Sequence, residues 1–107
     1  MRTRIAILND LIRFQTKLNR VQNELSEYTW DAEEPLVIMR KSDFIIVAQC
    51  FLNGVLSTDD LENWANAIES RDDIGFENGE LSEFIFDLAN PVINGEITKE
   101  LVRKMIG

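Results

Sequence analysis

Carboxylates are the side chains whose number and spacing in this chain could support chemistry. Two groups stand close together in the sequence: Asp59, Asp60 and Glu62, then Asp72, Asp73 and Glu77. Paired carboxylates can share a proton in acid–base catalysis or hold a divalent cation. The second group does not fit a calcium loop, because Ile74 and Phe76 occupy positions where ligands are needed. Acidic residues at a helix start usually complement the helix dipole, so we expect neither catalysis nor metal binding here.

Other catalytic and metal-binding residue types are scarce. The chain has no histidine, and Cys50 is its single cysteine. Ser-His-Asp and Cys-His nucleophiles, histidine metal ligands, multi-cysteine zinc sites and an intrachain disulfide are therefore excluded. The five glycines are scattered and form no phosphate-binding loop. We expect a protein that is not an enzyme and that carries no cofactor.

Length and composition indicate one globular domain, residues 1–107. The 107 residues are 45% hydrophobic and 28% charged, which suits a folded chain better than a disordered one. Polar residues interrupt the first dozen positions, so we expect no signal-peptide core there. The longest apolar stretch, 44–52, contains Gln49 and is far shorter than the ~20 residues that span a bilayer. We expect a cytoplasmic protein that does not enter a membrane.

The apolar periodicity predicts an all-α bundle of about five helices. Apolar residues recur at steps of three and four from Ile5 to Tyr28, which predicts one long amphipathic helix over 3–28, bent near Gln15. A second helix, with Ser42-Asp43 as its expected N-terminal cap and its end at Gly54, is apolar on every side and is expected to be the buried central helix. Residues 36–39 could form either a strand or a helical turn, and with no evident strand partner the helix or an extended connector is favoured.

Three further helices complete the predicted bundle. Ser57 is expected to cap the third, whose stripe includes Trp64, a core residue. The fourth carries a stripe from Leu81 and stops at Asn90-Pro91. Thr98 is expected to cap the last. The segment 71–80 between the third and fourth is read as a polar connector.

Charge is strongly segregated along the chain. Residues 1–30 carry a net charge of +2, whereas residues 42–98 hold twelve acids against Arg71 alone, a net charge of −11. On the third helix Asp59, Glu62 and Glu69 fall opposite the apolar stripe, and this surface is expected to continue into Asp72, Asp73 and Glu77. Such a surface is either a solvated face or a docking site for a basic partner. Direct nucleic-acid binding is disfavoured because it needs clustered Lys and Arg.

Trp30 stands at the end of the first predicted helix, close to Glu33 and Glu34. An aromatic residue flanked by acids is either a packed helix-end residue or an anchor at an interface.

The segment from Gly54 to Ile106 resembles a known class of protein. Trp64-Ala65 followed by Arg71-Asp72-Asp73-Ile74 is its most distinctive part. With Leu88-Ala89-Asn90-Pro91 and Gly95-Glu96-Ile97-Thr98, it is similar to the small acidic helical immunity proteins of bacterial polymorphic toxins. These include the immunity proteins of contact-dependent growth inhibition and some that resemble colicin immunity proteins. The resemblance covers about half of the chain.

The resemblance implies a non-enzymatic inhibitor that binds a cognate toxin domain, commonly a nuclease with a basic cleft, as a monomer or a 1:1 complex. A ribonuclease is slightly preferred as the toxin. The matching acids Glu62, Glu69, Asp72 and Asp73 become the best candidates for toxin contact, and Glu77, Trp30, Glu33 and Glu34 are added from the charge pattern. Arg71 is expected to pair with a neighbouring carboxylate. The alternative is a helical adaptor or regulatory module that acts through the basic side chains of the N-terminal helix.

Overall fold

Helices dominate the computed structural model, which describes residues 3–15, 17–28 and 33–107. Within those ranges the chain forms seven helices and two short strands: α1 (Arg4–Arg13), α2 (Leu18–Leu25), β1 (Val37–Met39), α3 (Lys41–Leu52), α4 (Thr58–Glu69), β2 (Ile74–Phe76), α5 (Gly79–Ala89), α6 (Pro91–Asn94) and α7 (Lys99–Ile106). The predicted helical class is confirmed, and the small sheet is an addition to it.

The N-terminal region is two helices, so the prediction of one long helix is wrong. Phe14 ends α1 in the left-handed conformation, with φ of 52°. A continuous helix over 3–28 would be about 39 Å long, whereas the molecule measures 38 × 26 × 25 Å. The break allows both apolar stripes to pack on the same core, as Leu11 and Val21 do.

Residues 37–39 form a strand whose partner lies in the connector between α4 and α5. β1 pairs in parallel with β2, and Ile38 stands opposite Gly75. Val37 and Met39 point into the core while Ile38 covers the outer face. A Cβ atom at position 75 would lie 2.8 Å from Ile38 Cδ1, so glycine leaves the space that Ile38 occupies. The expected helix or connector at 36–39 is therefore wrong.

The buried apolar side chains form one cluster, to which α1, α3, α4, α5 and α7 all contribute. α3 packs on α1 and α7, but its face around Ile46 is open to solvent, with Ile46 itself 48% exposed. The prediction of a fully enclosed central helix is therefore wrong. Trp64 is fully buried and its Nε1 donates a hydrogen bond to the Leu11 carbonyl at 2.6 Å, which confirms it as a core residue.

Two predicted helix caps are confirmed. Ser57 Oγ accepts from the Asp60 amide at 3.1 Å, and Asp60 Oδ2 accepts from the Ser57 amide at 2.9 Å. Thr98 Oγ1 accepts from the Leu101 amide at 3.1 Å. The cap predicted at Ser42-Asp43 is misplaced, because α3 begins at Lys41; Asp43 lies in its first turn, where its Oδ2 accepts from the Arg40 backbone N–H at 3.0 Å. These bonds satisfy amide groups that lack a partner inside the helix.

Candidate functional site

The acidic residues predicted on α4 lie on one side of that helix and face the segment that follows α5. Glu69 is exposed, and its Oε2 accepts a hydrogen bond from Asn90 Nδ2 at 3.2 Å. Glu62 is half-buried and Asp59 is exposed. Both line a shallow pocket of about 230 Å³ together with Pro91 and Glu96. We call Asp59, Glu62, Glu69 and Glu96 the acidic face.

The carboxylates of the acidic face are not paired with any basic side chain of the described residues. The longest axis of the acidic face follows α4 from Asp59 to Glu69, about 15 Å at 1.5 Å per residue. Exposed like charges repel one another at some cost in stability. That cost is expected to fall when a positively charged surface covers the face.

Asp73 was predicted to contact the toxin, and the structure places it in the interior, so the prediction of direct contact is wrong. Its side chain is 0% exposed. Arg71 donates to both carboxylate oxygens, each at 2.9 Å, and Arg4 donates to Oδ2 from Nε at 3.0 Å. The expectation that Arg71 pairs with a neighbouring carboxylate is confirmed. Asp73 fixes the connector to α1.

The charge state of Asp73 follows from these contacts. Burial acts to raise the pKa of Asp73, but hydrogen bonds and positive charge from Arg71 and Arg4 outweigh burial and lower the pKa below its ordinary value. Asp73 is therefore ionised throughout the neutral range.

A second buried aspartate uses a further cation of α1. Asp43 is 5% exposed, and its Oδ1 accepts from Arg13 Nε at 3.0 Å. Three of the chain's basic side chains, Arg4, Arg13 and Arg71, are thus committed to interior carboxylates. These three side chains are therefore engaged away from the acidic face.

The remaining predicted contact residues are divided among other positions. Glu77 is exposed, and its Oε2 accepts from the Lys41 amide at 2.9 Å, so it caps the start of α3. Asp72 is exposed in the connector. Glu33 and Glu34 are exposed just before β1, where the Leu36 amide bonds to the Asp73 carbonyl. Glu33 and Glu34 therefore lie near the end of the sheet at which Asp73 precedes β2. Trp30 lies outside the described residues.

One feature beside the acidic face was missed from the sequence. Val92 and Ile93, in the single turn of α6, are 98% and 76% exposed. Asn90-Pro91 and Asn94-Gly95 predict only a helix stop and a turn, and this pattern assigns no role to the two aliphatic residues between them. The sequence pattern that could have identified them is an apolar pair between two turn-forming dipeptides, Asn90-Pro91 and Asn94-Gly95.

The described residues contain no group of three or more acidic or thiol side chains arranged to hold a metal ion. None of the described helices has the length and apolar character that crossing a bilayer requires. The side chains brought together on this surface are carboxylates, an amide and, in the adjoining turn, two exposed aliphatics. Comparison with protein-family models, curated proteins and solved structures finds no match to this chain.

Proposed function

We propose that this protein is a non-catalytic inhibitor that binds a basic toxin domain through the acidic face, in the manner of an immunity protein. The carrying observation is that Asp59, Glu62, Glu69 and Glu96 form no ion pair with any residue that the structure describes, while Arg4, Arg13 and Arg71 pair with two buried aspartates. The resemblance of residues 54–106 to immunity proteins supplies the class of partner. The toxin is proposed to be a nuclease, with a ribonuclease preferred.

The physical basis is electrostatic complementarity. A nuclease must attract phosphates to a cleft lined by Lys and Arg. Carboxylates on a rigid helix can occupy such a cleft in place of the phosphates, which raises the association rate and fixes the orientation of the complex. The complex is proposed to be 1:1 and to form in the cytoplasm, where the nuclease meets its substrate.

An adaptor that acts through the N-terminal basic residues is less well supported. Arg4 and Arg13 bind Asp73 and Asp43, and the apolar side of α1 is buried in the core. Of the N-terminal cations described, Lys17 and Arg20 alone would remain for an acidic partner, and two lysine or arginine side chains give a weak electrostatic contact. We therefore do not propose this function.

The test is binding to the C-terminal domain of the toxin encoded beside this protein's gene. We expect a complex at micromolar concentration that silences the nuclease and weakens as salt is raised. Reversing two charges (Glu62→Lys with Glu69→Lys) should lower the association rate about tenfold at low salt. Glu100→Lys, an exposed change on α7, is the matched control and should leave the rate nearly unchanged.

Circular dichroism establishes that each variant is folded. Absence of a complex with the wild-type protein would refute the proposal. Equal effects of the double variant and the Glu100→Lys control would refute the acidic face as the contact surface.

A further inference from the structure

α6 presents two aliphatic side chains to solvent with almost no packing of their own. Val92 is 98% exposed and Ile93 is 76% exposed, and no other large hydrophobic residue in the described ranges exceeds either value. Folding gains nothing from aliphatic groups in water, and adjacent exposed aliphatics commonly mark a contact site. The feature is therefore unexplained by the stability of the free protein.

The turn that carries these side chains is held in one conformation. Asn90 Nδ2 donates to the Phe86 carbonyl at 2.9 Å and to Glu69 Oε2 at 3.2 Å. The Gly95 amide closes the turn on the Pro91 carbonyl at 2.9 Å, and Gly95 leaves it with φ of 102°. Ile97, two residues further on, is buried in the core. A projection fixed in this way loses little conformational entropy when it is covered.

The surroundings of α6 specify what can cover it. Pro91 shares a pocket with Asp59, Glu62 and Glu96, and Asn90 bonds to Glu69, so carboxylates lie beside the turn where it begins and after it ends. A second copy of this chain would bring the same acids against one another. An anionic lipid surface would be repelled as well. An apolar depression rimmed by Lys and Arg on another protein would bury the aliphatic side chains and place positive charge opposite the carboxylates.

We infer that Val92 and Ile93 form an apolar anchor that inserts into an apolar depression with a basic rim on the partner protein. This inference rests on the proposed function, since the partner is the same basic toxin domain. The carboxylates around the anchor steer the encounter and exclude water at the edge, and the aliphatic pair slows dissociation. Such a division between a central anchor and a charged rim is common at protein interfaces.

The test measures association and dissociation rates for binding to the toxin domain. Replacing both aliphatics (Val92→Ser with Ile93→Ser) should raise the dissociation rate about thirtyfold or more and leave the salt dependence unchanged. The matched control is Val55→Ser, which changes a 71% exposed valine outside the acidic face and should alter the rate less than about threefold. Circular dichroism should be the same for all three proteins.

The outcomes separate the anchor from the proposed function. If the anchor variant dissociates like Val55→Ser while Glu62→Lys with Glu69→Lys still binds slowly, the anchor is wrong and the proposed function stands. If the wild-type protein does not bind, both are overturned. Self-association in sedimentation velocity, or flotation with phosphatidylcholine–phosphatidylglycerol vesicles, would also overturn the anchor if the Val92→Ser, Ile93→Ser variant abolished it.

Discussion

Replacing Asp73 with asparagine should greatly destabilise the protein, although the change is nearly isosteric. The carboxylate accepts hydrogen bonds from Arg71 on both oxygens and from Arg4 on Oδ2, and its side chain is fully buried. Asparagine has one acceptor oxygen instead of two. Its NH2 group would take the place of the other carboxylate oxygen and face an arginine N–H donor. Breaking a buried ion pair in this way costs about 3–5 kcal/mol. The total free energy of unfolding of a domain of this size is about 5–15 kcal/mol.

Asp72→Asn is the matched control for this experiment. Asp72 is the adjacent residue, has the same chemistry and is exposed, so its replacement should change the free energy of unfolding by less than about 0.5 kcal/mol. Urea denaturation followed by circular dichroism and tryptophan fluorescence measures both variants. Equal midpoints for the two would refute the assignment of Asp73 as the residue that joins the connector to α1.

The pH dependence provides a second, independent readout. The pKa of Asp73 is lower in the folded protein than its ordinary value, which is about 3.9 in the unfolded chain. Its stabilising contribution is therefore complete above the unfolded pKa and is lost as the pH falls through the folded pKa. The stability difference between wild type and Asp73→Asn should be largest near neutral pH and shrink below about pH 4. A difference that stays constant down to pH 2 would contradict the ionised, ion-paired state.

Two core predictions concern single packing features. Trp64→Phe should lower the free energy of unfolding by about 1–3 kcal/mol, because the smaller ring leaves a cavity and the Leu11 carbonyl loses the bond from Trp64 Nε1, keeping only the Phe14 amide at 3.2 Å; a urea midpoint equal to that of wild type would contradict this. Gly75→Ala should cost about 1–3 kcal/mol, because the new Cβ would meet Ile38 Cδ1 at 2.8 Å. Gly79→Ala is its control, since a Cβ there meets nothing within 4 Å, and thermal unfolding of the pair should separate them.

Features governed by local chemistry could be predicted from the sequence. The third predicted helix, which is α4 in the structure, is an example. Ser57 forms its cap, and every residue of the predicted stripe is buried: Leu61, Trp64, Ala65 and Ile68. A hydroxyl side chain before an apolar stripe is sufficient evidence, because the atoms that interact are three or four residues apart. Thr98 likewise caps α7, which begins at Lys99.

Features that depend on distant residues could not be predicted in this way. β1 was ambiguous because its partner β2 begins at Ile74, beyond two intervening helices, in a segment with only three strand residues. Phe14 adopts a left-handed conformation, although no glycine or proline nearby indicates a helix break. Asp72 and Asp73 are identical in type, and Asp73 is the buried one because its partners, Arg4 and Arg71 at its carboxylate and the Leu36 amide at its carbonyl, come together only in the folded chain. The exposure of Val92 likewise depends on how α5 and α4 fix the turn.

The near absence of packing around Val92 and Ile93 has a consequence for the evolution of the chain. Side chains that contact little of their own protein can be replaced with almost no change in folding free energy, within about 0.5 kcal/mol. Stability resides elsewhere, in the buried cluster and in ion pairs such as Asp73 with Arg71. Positions 92 and 93 are therefore free to vary in size and shape without loss of the fold.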